Sequence, residues 1–240
     1  MKLRAVIVGV VLTLVVAATA YAVGFNQASP FQFDPFKTML VQGSWLSGIG
    51  CPTDATVHDG TTASSFSAGA CNAAAGGGDS SDRGNEGLLL AKTGPTVGNF
   101  ASSGAILRNV SGLVLTELGY DLRKPAGPPD ARGSHCGAGA PRFNVTTSVA
   151  FYFVGCNSPP GTVTFSGDGW IRLRWTGSNL VGFNFATGNF ETITGAVISI
   201  NILFDEGTDA SGGPDEFGLA VLDNIDVNGT LVGRGSTSAN

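Results

Sequence analysis

A carboxylate set in an apolar row is the first chemical oddity of this chain. In the stretch FGLAVLDNIDV, strand alternation puts Asp223 on one face with Phe217, Leu219, Val221, Ile225 and Val227. A charge on a core-facing row is costly unless it is paired, hydrogen-bonded or bound to a metal. Three arrangements would satisfy it. A β-bulge could shift the register and turn Asp223 outward. Backbone N–H groups of a neighbouring loop could donate to it. A calcium ion could bind it, since calcium prefers oxygen ligands.

A second group with chemical promise is Trp170, Arg172 and Arg174. They share one face of the segment WIRLRWT, and Ile171, Leu173 and Trp175 share the other. The apolar set is the core row. On the outer face, an indole could stack on a sugar ring while the guanidinium groups donate to hydroxyls or acidic sugars. These three are therefore the candidate ligand-binding residues. The plainer alternative is an Arg–Trp stack on an ordinary outer face, because one exposed aromatic does not make a site.

Catalytic arrangements are hard to assemble. The two histidines are His58 and His135, and no G-x-S-x-G element supplies a nucleophile. Cys136 as a nucleophile conflicts with its expected disulfide. Glu117 and Asp121 share a strand face, but four residues of strand place them roughly 13 Å apart. Two-carboxylate glycoside cleavage needs about 5–9.5 Å. Each could still meet a carboxylate on another strand, so a secreted polysaccharide hydrolase stays as the alternative to a binding protein. The acidic group Asp205, Glu206, Asp209, Asp215 and Glu216 lacks EF-hand spacing and reads as a solvated loop.

The elements that must position these residues follow from composition and pattern. MKLR, an apolar run from Ala5 and the triplet Ala20-Tyr21-Ala22 have the layout of a secretory signal peptide over residues 1–22. An uncleaved membrane anchor is the competing reading, although the run is short for a bilayer. Export to the extracellular space or cell surface is expected, with membrane attachment only through that segment. Loss of Lys2 and Arg4 leaves 11 basic against 18 acidic residues, a net charge of −7, which disfavours nucleic acid as a partner. Four cysteines in an exported chain suggest two disulfides. Three pairings are possible. Local pairing, Cys51–Cys71 and Cys136–Cys156, has the smaller loop-closure cost.

Low charge, abundant glycine and many β-branched residues and phenylalanines indicate one all-β domain over residues 23–232, ahead of a polar tail at 233–240. The pattern predicts an extended lead-in to Thr38, a first strand at Met39–Trp45, and a long Gly/Ala/Ser-rich loop at 48–87. It then predicts strands at Gly87–Thr93, Ala105–Val110 and Leu113–Arg123. A hairpin follows, with Arg142–Thr146 and Val149–Val154 as its arms; one face carries Phe143, Val145, Tyr152 and Val154. A second hairpin joins Thr162–Phe165 to Trp170–Thr176. Long strands are expected at Ile193–Asp205, with Ala196, Ile198, Ile200, Ile202 and Phe204 on one face, and at Glu216–Val227. Asn228-Gly229 turns the chain into a short last strand.

The segment V-L-D-N-I-D-V-N at 221–228 resembles the closing strand of secreted jelly-roll modules, the galactose-binding-like and carbohydrate-binding domains. That resemblance implies a two-sheet antiparallel jelly-roll-like sandwich. It also implies a structural calcium held by Asp223 with carbonyls and carboxylates from near the first strand. HCGAGAPRFNV has no counterpart in those families. The expectation is an exported non-catalytic binding protein, with a glycan or another extracellular surface component as partner. A structural cell-surface or matrix protein without a small ligand is a further alternative.

Overall fold

The computed structural model describes residues 24–38, 40–51, 56–58, 63–65, 79, 82, 85–124, 140–156, 161–165, 169–209 and 218–235. The expected signal segment, most of the long loop, Cys71, His135 and Cys136 lie outside them. In chain order the strands are β1 (Gln27–Phe33), β2 (Val41–Ser47), β3 (Thr56–His58), β4 (Ala63–Ser65), β5 (Glu86–Lys92), β6 (Ser102–Arg108), β7 (Glu117–Arg123) and β8 (Arg142–Thr147). They continue with β9 (Phe151–Gly155), β10 (Thr162–Phe165), β11 (Trp170–Thr176), β12 (Val181–Asn184), β13 (Asn189–Thr192), β14 (Val197–Phe204), β15 (Leu219–Val227) and β16 (Thr230–Val232).

Two antiparallel seven-stranded sheets pack face to face. The first runs β1-β6-β14-β8-β9-β12-β13, and the second runs β10-β11-β7-β15-β5-β2, with β16 beside the end of β15. A small β3–β4 ladder stands apart. The all-β sandwich expected from composition is the observed fold class. Among the described residues, no helix is long and apolar enough to cross a membrane.

The core lies where the alternating rows of the two sheets meet. Phe143, Val145, Tyr152 and Val154 of the β8–β9 hairpin are buried there, as are Ile171, Leu173 and Trp175 of β11. The rings of Tyr120, Phe143 and Trp175 form a triangle with centroids 5.3–5.9 Å apart. Such pairs add to the gain from area burial alone. Tyr120 also donates its hydroxyl to the Pro141 carbonyl at 2.8 Å, so its buried polar end is satisfied.

Three expectations about the strands are corrected. The lead-in contains β1, which tolerates Pro30 because β1 is a sheet edge and needs hydrogen bonds on one side only. The expected face of the long strand at 193–205 breaks, because the pairing of β14 with β8 slips between Val197 and Ser199. Val197 is buried and Ile198 is exposed as a result. The hairpin of β12 and β13 was not foreseen at all.

Candidate functional site

The strongest sequence anomaly resolves into a brace inside the second sheet. Ala220 and Leu222 of β15 face the core, and so do Ile225 and Val227. The two pairs can share a face only because the β15–β7 register shifts between Asp223 and Asp226. Asn224 sits at that bulge with φ 44°, a conformation that asparagine tolerates better than most residues. Leu219, Val221 and Asp223 therefore leave the row assigned to them and point to the far side of the sheet. That far side is not open. Asp223 is fully buried; its Oδ2 accepts the Cys51 N–H at 2.6 Å and its Oδ1 accepts the Asn224 N–H at 2.5 Å. The bulge and the loop donors, weighed as alternatives, act together.

The same far side holds the expected ligand-binding residues, and their placement is corrected too. Trp170 is only 1 % exposed and Arg172 only 2 %. Trp170 packs with Cys51 and Val221 in a small second cluster. Register places Arg172, Asp121 and Asp223 in one row across β11, β7 and β15. The Arg172 guanidinium donates twice to Asp121, at 2.7 and 2.9 Å, and Asn224 Nδ2 donates to the same carboxylate at 2.8 Å. One row further along, Arg174 crosses Gly119 to come within 3.3 Å of Asp226. A Cβ at Gly119 would collide with the Arg174 side chain, so only glycine permits this crossing. Period-two alternation correctly separated these side chains from the core row. It could not show that Cys51 packs with Trp170 or that Asp121 and Asp226 pair with the arginines.

Burial shapes the electrostatics of this brace. It pushes the Asp223 carboxyl well above its ordinary pKa; the Asp121 charge adds to the rise, and the two backbone N–H bonds oppose it. Burial also raises Asp226 to about 6 against the pull of Arg174. Burial lowers the Arg174 guanidinium below its usual value. Among the described residues, no group of three or more His, Cys, Asp or Glu is placed to hold a metal ion. Of the two carboxylates considered for catalysis, Asp121 is held by Arg172 in this brace and Glu117 lies 3.7 Å from Arg174. The described members of the acidic group, Asp205, Glu206 and Asp209, are not simply solvated; Asp215 and Glu216 lie outside the described residues. Glu206 is buried in an ion pair with Lys124, and Asp205 receives both guanidinium ends of Arg142 at 2.7 Å. Cys51 and Cys156 are buried, and neither is a free thiol.

The exposed chemistry lies on the opposite surface, the outer face of the first sheet. Register lines up Ile106, Asn201, Asn144, Phe153, Phe183 and Phe190 across six strands. At about 4.8 Å per strand this row is roughly 24 Å long. Phe151 and Phe185 flank it. The rings touch edge to face, with Phe151–Phe153 at 4.9 Å, Phe183–Phe190 at 5.5 Å and Phe153–Phe185 at 6.1 Å between centroids. Phe185 is 68 % exposed and Phe190 51 %. Contiguous apolar surface of this kind marks a binding face more often than scattered exposed side chains do.

Arg142 joins this strip to a pocket. Its guanidinium lies 5.4 Å from the centre of the Phe153 ring while it holds Asp205. Beyond it, at the end of the sheet where β1 and β14 stop and β6 and β8 begin, a cavity of about 650 Å³ opens. Phe31, Phe33 and Phe100 are its aromatic walls, and Phe100 is 75 % exposed. Phe31 can lie over β6 because Gly104 has no Cβ; one placed there would stand 2.7 Å from the ring. Lys92, Asn99, Arg142 and Asp205 supply the polar lining. Alternation along the hairpin puts Arg142, Asn144, Phe151 and Phe153 on the face opposite Phe143, Val145, Tyr152 and Val154, which by itself names no role for them. The phenylalanines on either side of Ala186-Thr187-Gly188 were the signal that could have extended it. No protein-family model matches this chain, and neither a curated protein nor a solved structure does, so the face is read from its own geometry.

Proposed function

We propose that this is an exported, non-catalytic binding protein whose ligand is a glycan lying across the outer face of the first sheet. The observation that supports it is the run of exposed phenylalanine rings continuous, through Arg142, with an aromatic-walled pocket that carries hydrogen-bonding groups. Flat rings offer apolar faces to the C–H faces of sugars. Asn144, Asn201 and the pocket side chains offer partners to hydroxyls. A strip of roughly 24 Å suits a chain of sugars better than one ring. The two local disulfides, Cys51–Cys71 and Cys136–Cys156, belong to the same proposal, as does the jelly-roll description of the sandwich.

A glycan array tests the reading. The wild-type protein should retain a subset of oligosaccharides, and the double variant Phe185→Ser/Phe190→Ser should lose most of that binding. Both side chains are largely exposed, so the variant should melt within a few degrees of wild type. Equal binding by the variant, or no glycan bound by the wild type, would overturn the assignment. Release of reducing ends from any bound polysaccharide would instead support the hydrolase.

A further inference from the structure

We infer that the pocket beside β1 takes a sugar ring bearing a carboxylate, with the carboxylate seated on Lys92 Nζ. This rests on reading the outer face of the first sheet as the glycan-binding surface, and names the chemistry at one end of it.

Lys92 is the last residue of β5 in the second sheet, and it is only 1 % exposed. Among the described residues its ammonium makes one hydrogen bond, to the neutral Asn99 carbonyl at 2.7 Å. An ammonium carries three donors, so two are without an acceptor among the described residues, and Lys92 is part of the cavity lining. The nearest acids do not take them. Asp205 is turned to Arg142 with both oxygens, and Asp209 accepts the Thr96 N–H. Both act on Lys92 only through their charge, and burial lowers its pKa in spite of them. A buried cation without an anionic hydrogen-bond partner is costly, and a ligand carboxylate would supply the missing charge-assisted bonds.

The rest of the pocket fixes the shape of that ligand. Phe31, Phe33 and Phe100 would hold a ring by its faces, so the anion is ring-borne. One carboxylate suffices. The acidic balance of the whole chain opposes a polyanion, but charges farther off than about 10 Å are screened at ordinary ionic strength.

The test compares trigalacturonate with its methyl ester, which keeps the rings and removes the charges. Isothermal titration should show the acid binding at least tenfold more tightly. The preference should vanish in Lys92→Met, which keeps the aliphatic stem. In the wild type it should fade as pH rises, and at a lower pH than an ordinary lysine would need. If acid and ester bind alike, or if the preference survives in Lys92→Met, the carboxylate assignment fails while the glycan reading stands. If neither sugar binds and neutral oligosaccharides do, the pocket assignment alone fails. If no sugar of any kind binds, both fall. Should Lys92→Met not fold, the pH dependence of the wild type decides, and a preference unchanged up to pH 10.5 would overturn the inference. Benzoate, a flat ring with the same anion, should bind far more weakly than the trisaccharide, and equal binding would overturn the sugar ring.

Discussion

Replacing Arg172 with Met separates a structural brace from a binding patch. In the wild type the guanidinium makes two hydrogen bonds to Asp121 in a fully buried setting. Burial alone would lower the Arg172 pKa, but those bonds and the charges of Asp226 and Asp223 raise it above its ordinary value. Met fills much of the same volume and removes the charge. Asp121 then keeps only the Asn224 amide as a donor within this row, and it faces Asp223 across the ladder. Breaking a buried pair by deleting one partner costs about 3–5 kcal/mol. A domain of this size shifts by about 2–4 °C per kcal/mol. The melting temperature should therefore fall by roughly 6–20 °C, with the denaturant midpoint moving in parallel. Asp121→Leu placed on top should recover part of the loss, because the stranded charge goes with it. Glycan affinity measured below the melting range should stay within a factor of two. A variant that melts like the wild type yet loses its ligand would refute this reasoning and restore Trp170, Arg172 and Arg174 as the site.

Two further outcomes follow from the same network. Asp226 has a folded pKa of about 6, above its unfolded value near 3.9. The native state therefore holds the extra proton between those limits, and stability falls as pH rises from about 4 to 6 by up to about 3 kcal/mol. Asp226→Asn should remove that part of the slope, so the stability difference between variant and wild type should change across this window and be flat above it; a constant difference from pH 4 to 7 would contradict the assignment. The calcium expected at Asp223 is tested by chelation. If the Cys51 and Asn224 N–H groups hold the carboxylate, EDTA should leave the melting curve within about 1 °C, whereas a fall of several degrees reversed by added calcium would make Asp223 a metal ligand.

The parts of the fold that were legible in the sequence are those where period-two alternation runs unbroken. Ile171, Leu173 and Trp175 face the core as alternation requires, and Phe143 and Val145 pair with Val154 and Tyr152 in the expected hairpin. Alternation failed at Asp223 and Ile198, in each case beside a register shift of one residue. A bulge adds a residue without leaving a pattern of its own, and every assignment on one side of it inverts. Period two also says which side a residue takes, never what lies over that side. Alternation puts Trp170 and Arg172 on the far face of β11 but not in solvent, because Cys51, distant in sequence, packs with Trp170 and Asp121 holds Arg172. The pocket was illegible for a related reason. Phe31, Phe100 and Arg142 meet only through pairings of β1, β6, β14 and β8, which connect residues 50 to 101 positions apart.

The most direct measurement is a hydrogen-exchange footprint of the protein with and without a glycan retained on the array. Ligand should slow exchange in β1, at Arg142–Thr146 and across the β12–β13 hairpin, and leave Trp170–Arg174 and Asp223–Asp226 unchanged. Protection confined to Trp170–Arg174, with none on the phenylalanine strip, would contradict the account.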